Sequence, residues 1–466
     1  MIILLGLCLL VLGFLFYGKF VEKVFQPDDR PTPAYAVGDG VDFVPLPLWK
    51  TFLIQLLNIA GLGPIFGALA GAVFGPIVLL WIVFGCVLGG AVHDYIAGMI
   101  SLRHNGCSLG ELMGLYLGPK MRVFLQFYTI VMMIMVGAVF TSGSVHLLAK
   151  ITPDFLSINF WTVVVLVYFF ICTFLPIDKI IGKIYPLFGL VMLIMAVGIL
   201  YSVITSGNFN FTLANLHPKN TPAWPFMFVA VACGAISGFH ATQSPLMGKC
   251  LRSEKEGRYA FYGAMIAEGI IGLAWAGAGL VFYDSTADLN TALGSITASG
   301  VVYKISMNTM GAIGGLLAVI GVAVCPITTG DTALRAARLI AAECLNLEQK
   351  SAKNRLLLTI PIFAVTISLL FINFNILWRY FAWINQTLAV FTLIMCTSYL
   401  VKTGKGYESA ITAFPAAFMV AVCITYILMA PEGLAMTAVA AYTIGAICAL
   451  LTLAWWLREV KNQNTK

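Results

Sequence analysis

Apolar runs of about twenty residues recur along the chain, separated by short polar clusters. Counting runs of that length gives about thirteen, centred near Leu10, Ala60, Phe84, Met133, Leu166, Met192, Gly234, Ile270, Val319, Phe363, Leu388, Val420 and Ile447. Each run is long enough to cross a bilayer as a helix, so the pattern predicts an all-α polytopic membrane protein. Two runs are interrupted. The second holds Gly61, Gly63 and Pro64 at its centre, and the seventh runs Ala232-Cys-Gly-Ala-Ile-Ser-Gly-Phe-His240 before Pro245. Gly costs roughly 1 kcal/mol and Pro roughly 3 kcal/mol relative to Ala inside a helix. In lipid, backbone freed in this way is tolerated only where it faces protein or a water-filled cavity. The breaks therefore predict a site built from discontinuous helices, as in secondary transporters.

The seventh run comes five spans after the second, an odd offset, so the broken helices run in opposite senses. This predicts a LeuT-like 5+5 inverted repeat of spans 2–6 and 7–11. The expected divisions are an extra helix and cytoplasmic loop over 1–48, repeats over 49–204 and 205–402, and two extra helices over 403–466. Charge tests the count independently. Of 27 Lys and Arg residues, all but Lys150, Lys219, Lys304 and Arg379 fall in connections that follow odd-numbered spans or in the C-terminal tail. The positive-inside rule then places the N-terminus outside and the C-terminus in the cytoplasm of a cell-membrane protein. Arg379, near the outer end of its helix, is expected to snorkel.

Composition agrees: 60% of residues are hydrophobic and 10% charged, and the mean hydropathy is +0.94. The start, Met1-Ile-Ile-Leu-Leu-Gly, has no basic n-region and no small-residue cleavage site, so it reads as a first span rather than a removable leader. The net charge of +7 reads as topology and affinity for anionic lipid. No basic stripe with interleaved aromatics points to nucleic acid. The eleven Cys are scattered without a CxxC or zinc-finger spacing and read as buried thiols. No GxxxxGK[ST] loop is present, which argues against an ATP-driven pump, and Gly61-Leu-Gly63 lacks the strand of a dinucleotide fingerprint. Ser108-Leu-Gly-Glu111 fits a capping box opening a short interfacial helix.

Several stretches match a known family in order: Pro31-Thr-Pro with Asp39-Gly-Val-Asp-Phe-Val-Pro45, Ile59-Ala-Gly-Leu-Gly-Pro64, Gly90-Ala-Val-His-Asp94, Ser108-Leu-Gly-Glu-Leu and the broken seventh run through His240. Most of the chain resembles the carbon starvation protein A (CstA) transporters, in a short form. The resemblance implies ion-driven secondary uptake of peptides or of small carboxylates such as pyruvate. Where better-known members carry a His-His pair before the IAG motif, this chain has Ile54 and Gln55.

Ionisable groups inside a membrane are functional candidates because burying them is costly. At 1.5 Å per residue, Glu268 lies roughly 15 Å from the start of its helix near Arg258, close to the midplane. It would couple a cation, or be a carboxyl hydrogen-bonded between helices. His240, equally deep, would act as proton switch or carboxylate donor, or bond a carbonyl freed by its own broken helix. His93 and Asp94 read as nearer the cytoplasmic end, where Asp94 would pair with a basic residue at the interface or join ion coupling. Asp331 is placed similarly. Thr328 and Thr329 fall where LeuT-like sodium symporters set paired hydroxyls against the first broken helix, so they could seat sodium; simple helix packing is the alternative.

For cargo, the N–H groups of a half-helix favour an anion. Gly61, Gly63, Gly234, Ser237 and Gly238 would cradle a carboxylate, with Asn58, His240, Thr242 and Gln243 orienting it; close helix packing is the other reading of the glycines. No cofactor is expected beyond a coupling ion, proton or sodium, and the expected partners are a small-molecule substrate and membrane lipid. The leading function is a symporter working by alternating access around the breaks. The alternatives are a sodium-coupled amino-acid symporter, a passive channel, and an intramembrane aspartyl protease using Asp94 and Asp331. The protease needs Gly-x-Gly-Asp, and Thr328-Thr329-Gly330-Asp331 supplies only the last glycine.

Overall fold

The computed structural model describes the backbone of residues 2–38, 43–173, 177–206, 210–349 and 351–465. Asp39, Gly40, Val41 and Asp42 of the motif above lie outside the described residues, as do Lys350, Lys466 and the side chains of Lys179 and Lys183. Every element described here is helical.

Helices occupy each apolar run. They are α1 (Ile2–Phe25), α2 (Leu48–Ala60) and α3 (Gly63–Ala72), α4 (Val78–Arg103), α5 (Leu109–Leu117), α6 (Pro119–Ile151), α7 (Ile158–Cys172) and α8 (Ile177–Ser206). After these come α9 (Ala223–Ala230), α10 (His240–Gly248), α11 (Glu254–Phe282), α12 (Thr286–Ser295), α13 (Thr297–Cys344), α14 (Ala352–Leu369), α15 (Phe374–Leu400), α16 (Ala410–Met429) and α17 (Ala438–Asn464). Among the described residues, eight helical stretches are long and apolar enough to cross a membrane unaided, and the bent pair α2–α3 makes a ninth. One of the eight, Phe374–Met429, contains two of the expected crossings, divided where Gly404 and Gly406 turn to positive φ. The capping box is present, Ser108 and Glu111 each accepting from the other's backbone N–H.

Both breaks are real. Between α2 and α3 the axis bends by 54°, and Gly61 there takes φ +32°. Phe140 packs so close that a Cβ at Gly61 would lie 2.6 Å from the ring. Between α9 and α10 the helix ends at Ala230 and resumes at His240, with Gly234 at φ +86°. The two breaks touch: a Cβ at Gly63 would lie 2.1 Å from that of Cys233, and one at Gly234 would lie 3.5 Å from Pro64 Cα. Close approach therefore accounts for Gly63, and a left-handed turn for Gly234.

The connections sort onto two faces. On the basic face, the Asp28 N–H donates to Glu254 Oε2 at 2.9 Å and the Thr32 hydroxyl to the Leu251 carbonyl at 2.6 Å. Arg122 pairs with Glu343 at 2.8 Å, and Lys402 Nζ donates to the Tyr116 carbonyl at 3.0 Å. Buried Glu254 is also clamped by Arg103, whose Nε and Nη2 donate at 3.0 and 2.9 Å. Beside it, the Arg30 guanidinium holds the Asp28 carboxyl well below the usual carboxylate range. On the other face, the Leu216 N–H donates to the Phe74 carbonyl at 3.1 Å and the Thr286 hydroxyl to the Leu216 carbonyl at 2.7 Å. Arg379 sits there too. It does more than snorkel, because its Nε donates to Glu432 Oε1 at 2.9 Å.

The contact between the breaks predicts the outcome of filling it. Gly63→Val, which drives methyl groups into Cys233, should destabilise by about 1–3 kcal/mol through overpacking. A lowered thermal unfolding midpoint of the detergent-purified protein reads this. Gly294→Ala, where a Cβ meets nothing within 4 Å, should leave the midpoint in place.

Candidate functional site

Where a helix stops inside a membrane, carbonyls and N–H groups lose their partners and must find others within the protein. Around the second break the replacements come from three helices. Trp81 Nε1 on α4 donates to the Val231 carbonyl at 3.2 Å, and Gln386 Nε2 on α15 to the Phe228 carbonyl at 2.7 Å. The Gly234 N–H donates to Glu268 Oε1 on α11 at 3.2 Å. Asn385 on α15 takes two more, its side-chain oxygen accepting from the Phe239 N–H at 2.8 Å and its backbone carbonyl from the Gly238 N–H at 3.1 Å. Ser237 and Asn385 also bond side chain to side chain at 2.9 Å.

Behind this break lies a chain of four ionisable groups, each fully buried. His93 Nδ1 is 2.7 Å from Asp94 Oδ1, and His240 Nδ1 is 2.8 Å from Asp94 Oδ2. On its other side, His240 Nε2 lies 3.3 Å from Glu268 Oε2, close enough for an ion pair but without hydrogen-bond alignment. His93 and Asp94 open the regular part of α4 directly after a widened π-turn over Gly85–Gly90, and Glu268 follows another over Arg258–Tyr262. Gly90 lets α4 press against the second break, since a Cβ there would meet the Ala235 carbonyl oxygen at 2.3 Å. Three separate elements thus deliver one cluster.

The expected residues fall into three groups. Asp94, His240, Glu268, Gly234, Ser237 and Gly238 come together at the second break. The reading of Asp94 as an interfacial residue needs correcting: it is fully buried, and its partners are imidazoles rather than a basic residue at the membrane surface. The His240 ring likewise bonds a carboxylate and not a freed carbonyl. Two of the N–H groups expected to cradle a cargo carboxylate are already engaged, Gly234 by the protein's own Glu268 and Gly238 by Asn385.

At the first break, Gly61 and Gly63 pack against Phe140 and Cys233. Asn58, 2% exposed, keeps its Oδ1 without a hydrogen-bond partner. Gln55 ties the two broken helices together through Nε2 to Ser244 Oγ at 3.3 Å. On α10 the Thr242 hydroxyl donates to the Phe239 carbonyl at 2.7 Å and accepts from Gln243 Nε2 at 2.9 Å, while buried Gln243 Oε1 lacks a partner.

The third group lies on α13. Thr328 and Thr329 are buried, and Thr329 Oγ1 approaches the Leu57 carbonyl of α2 at 3.4 Å. That puts the Thr329 hydroxyl against the first broken helix. Asp331 is also buried rather than interfacial, 3.8 Å from Arg335. The two aspartates of the protease alternative therefore have separate partners. Sequence reasoning missed Asn385, although the amide pair Asn385-Gln386 in the middle of an apolar run was a legible signal.

With the geometry in place, similarity to known proteins is informative. The chain matches the family described as Carbon starvation protein CstA over residues 1–214, 153–296 and 284–426. A membrane protein of Haemophilus influenzae is 40% identical over 340 residues, 61% of this chain and 91% of that one. The Bacillus subtilis peptide transporter CstA is 28% identical over 337 residues, covering 58% of this chain and 56% of its own. The Escherichia coli pyruvate/proton symporter BtsT is 26% identical over 354 residues, covering 58% and 48%. The chain thus spans about half the length of these two transporters.

Among solved structures, the Eremococcus coleocola manganese transporter superposes with a TM-score of 0.55 over 92% of this chain and 99% of its own at 12% identity. MhsT in complex with L-phenylalanine superposes with 0.56 over 87% and 97% at 13% identity. A Na+-coupled sialic acid symporter gives 0.53 over 97% and 95% at 12% identity. At these identities the likeness establishes the fold, which is LeuT-like. The relatives and the fold are those of transporters rather than enzymes, and the chain belongs to the carbon starvation protein CstA family of multi-pass membrane transporters.

Proposed function

We propose that the chain is a secondary symporter that carries small carboxylate-bearing solutes, pyruvate or short peptides, across the cell membrane in company with a cation. The single observation behind this reading is the contact between the two breaks, Gly63 on Cys233, with the Asp94–His240–Glu268 chain lying directly against it. The names of the Bacillus subtilis and Escherichia coli relatives support the cargo class.

The engaged N–H groups suggest how the two ligands are linked. Glu268 occupies the Gly234 N–H, where an anionic cargo would bind. A coupling cation that neutralises Glu268 weakens its hold on that N–H and frees it for the cargo carboxylate. Anion and cation then enter together, because each removes the electrostatic cost of the other in a low-dielectric interior. Thr329, against the Leu57 carbonyl, and its neighbour Thr328 form a second seat suited to sodium, whose ligands are oxygens. Alternating access follows if the units 49–204 and 205–402 rock about the two breaks. The basic face, which the Arg103–Glu254 clamp closes, is the cytoplasmic one by the positive-inside rule. The N-terminus then lies outside and the C-terminus inside.

Uptake of labelled pyruvate and dipeptides into proteoliposomes, under separately imposed proton and sodium gradients, tests this. Accumulation of either cargo under either gradient is expected; flux that ignores both gradients overturns symport in favour of a channel. Glu268→Gln should abolish gradient-driven accumulation while cargo exchange continues, and unchanged accumulation removes Glu268 from coupling. Thr329→Val should raise the sodium concentration for half-maximal uptake about tenfold, equivalent to about 1.4 kcal/mol. An unaltered sodium dependence removes the hydroxyl pair from the scheme.

A further inference from the structure

Cys233, His240 and Glu268 each offer one ligand atom, and the three atoms lie within 4.8 Å of one another in a fully enclosed position. We infer that this trio is a binding site for a zinc-class divalent ion. Its occupancy does not depend on the symport reading, because the ion would bind to the protein at rest.

Three features beyond proximity support the site. First, the donor set is a thiol, an imidazole and a carboxylate, the combination that zinc takes and that the all-oxygen preference of Mg2+ and Ca2+ excludes. Second, His240 is oriented as a metal-ligating histidine is. Its Nδ1 lies 2.8 Å from Asp94 Oδ2, so a proton on Nδ1 faces that carboxylate and Nε2 is turned toward Glu268, where an ion would take it as a ligand. Third, the atoms that would ligate are in want of a partner. His240 Nε2 and Glu268 Oε2 are both buried and face each other at 3.3 Å without a hydrogen bond. A cation between them answers that arrangement.

Cys233 holds its place through weak sulfur contacts, Sγ donating to Ser237 Oγ at 3.5 Å and accepting from Asn385 Nδ2 at 3.5 Å. Both are easily exchanged for a metal bond. On binding, the thiol proton leaves to bulk water and the thiolate bonds the ion; no redox change is involved. Three protein ligands leave the fourth corner of a tetrahedron open. An ion there would join the second break to α11 and so hold the carrier in this conformation.

Cobalt(II) is the probe, added to the detergent-purified chain, with zinc as competitor. One Co2+ per chain is expected, with a thiolate-to-cobalt charge-transfer band in the near ultraviolet and strong tetrahedral bands in the visible, both removed by Zn2+. Cys233→Ser should eliminate the charge-transfer band, and Cys107→Ser, at a cysteine remote from the trio, should retain it. Asp94→Asn, which alters only the residue behind His240, should weaken Co2+ affinity by about 10–100-fold. Absence of the band from the unaltered chain, or its survival in Cys233→Ser, overturns the site. Zinc K-edge absorption of the unaltered chain gives a test free of any variant. One sulfur at about 2.3 Å supports the assignment, and a shell of only nitrogen and oxygen overturns it.

Discussion

Lipid supplies no hydrogen bonds, and that constraint governs the centre of this molecule. Two helices stop partway across, so several backbone groups come free at a depth where no solvent can satisfy them. The structure answers with side chains from neighbouring helices: Trp81 and Gln386 for carbonyls, Glu268 and Asn385 for N–H groups. Each of these polar residues would be a liability in an apolar helix with no broken partner beside it. The breaks and their polar neighbours therefore require one another.

The same accounting explains why ionisable groups gather here. Glu268 performs a backbone task through Oε1, and this leaves Oε2 facing His240; His240 in turn faces Asp94, and Asp94 faces His93. A structural need has thus placed a linked row of ionisable groups at the meeting point of three helices. The glycines on both sides keep the two breaks close together beside that row. At the basic face the Arg103–Glu254 clamp ties the end of α4 to the start of α11, so the two helices that carry Asp94 and Glu268 are also fastened at their ends.

Much of the architecture was legible in the sequence because its signals are local. Apolar run length set the crossings, Gly and Pro set the breaks, and the distribution of Lys and Arg fixed which connections share a face. The depth of Glu268 was also readable from its distance to Arg258. The same ruler applied from Arg103 places Asp94 nine residues in, roughly 14 Å at 1.5 Å per residue, which is depth enough for its burial. Other features depended on tertiary partners and could not be read locally. Nothing near Gly234 in the sequence announces that Glu268 will claim its N–H, and nothing near Gly238 points to Asn385, well over a hundred residues away. Gln55 is a further case, since the bond to Ser244 exists only because the two broken helices lie side by side.

The meeting of Gly63 with Cys233 has an evolutionary corollary. Space at that junction is a shared quantity, enough for one small side chain and no more. Drift at either position is therefore constrained by the occupant of the other. In a lineage where position 63 acquires a methyl group, position 233 must contract to glycine, so the two sites should covary as a pair across an alignment despite the long stretch of chain between them.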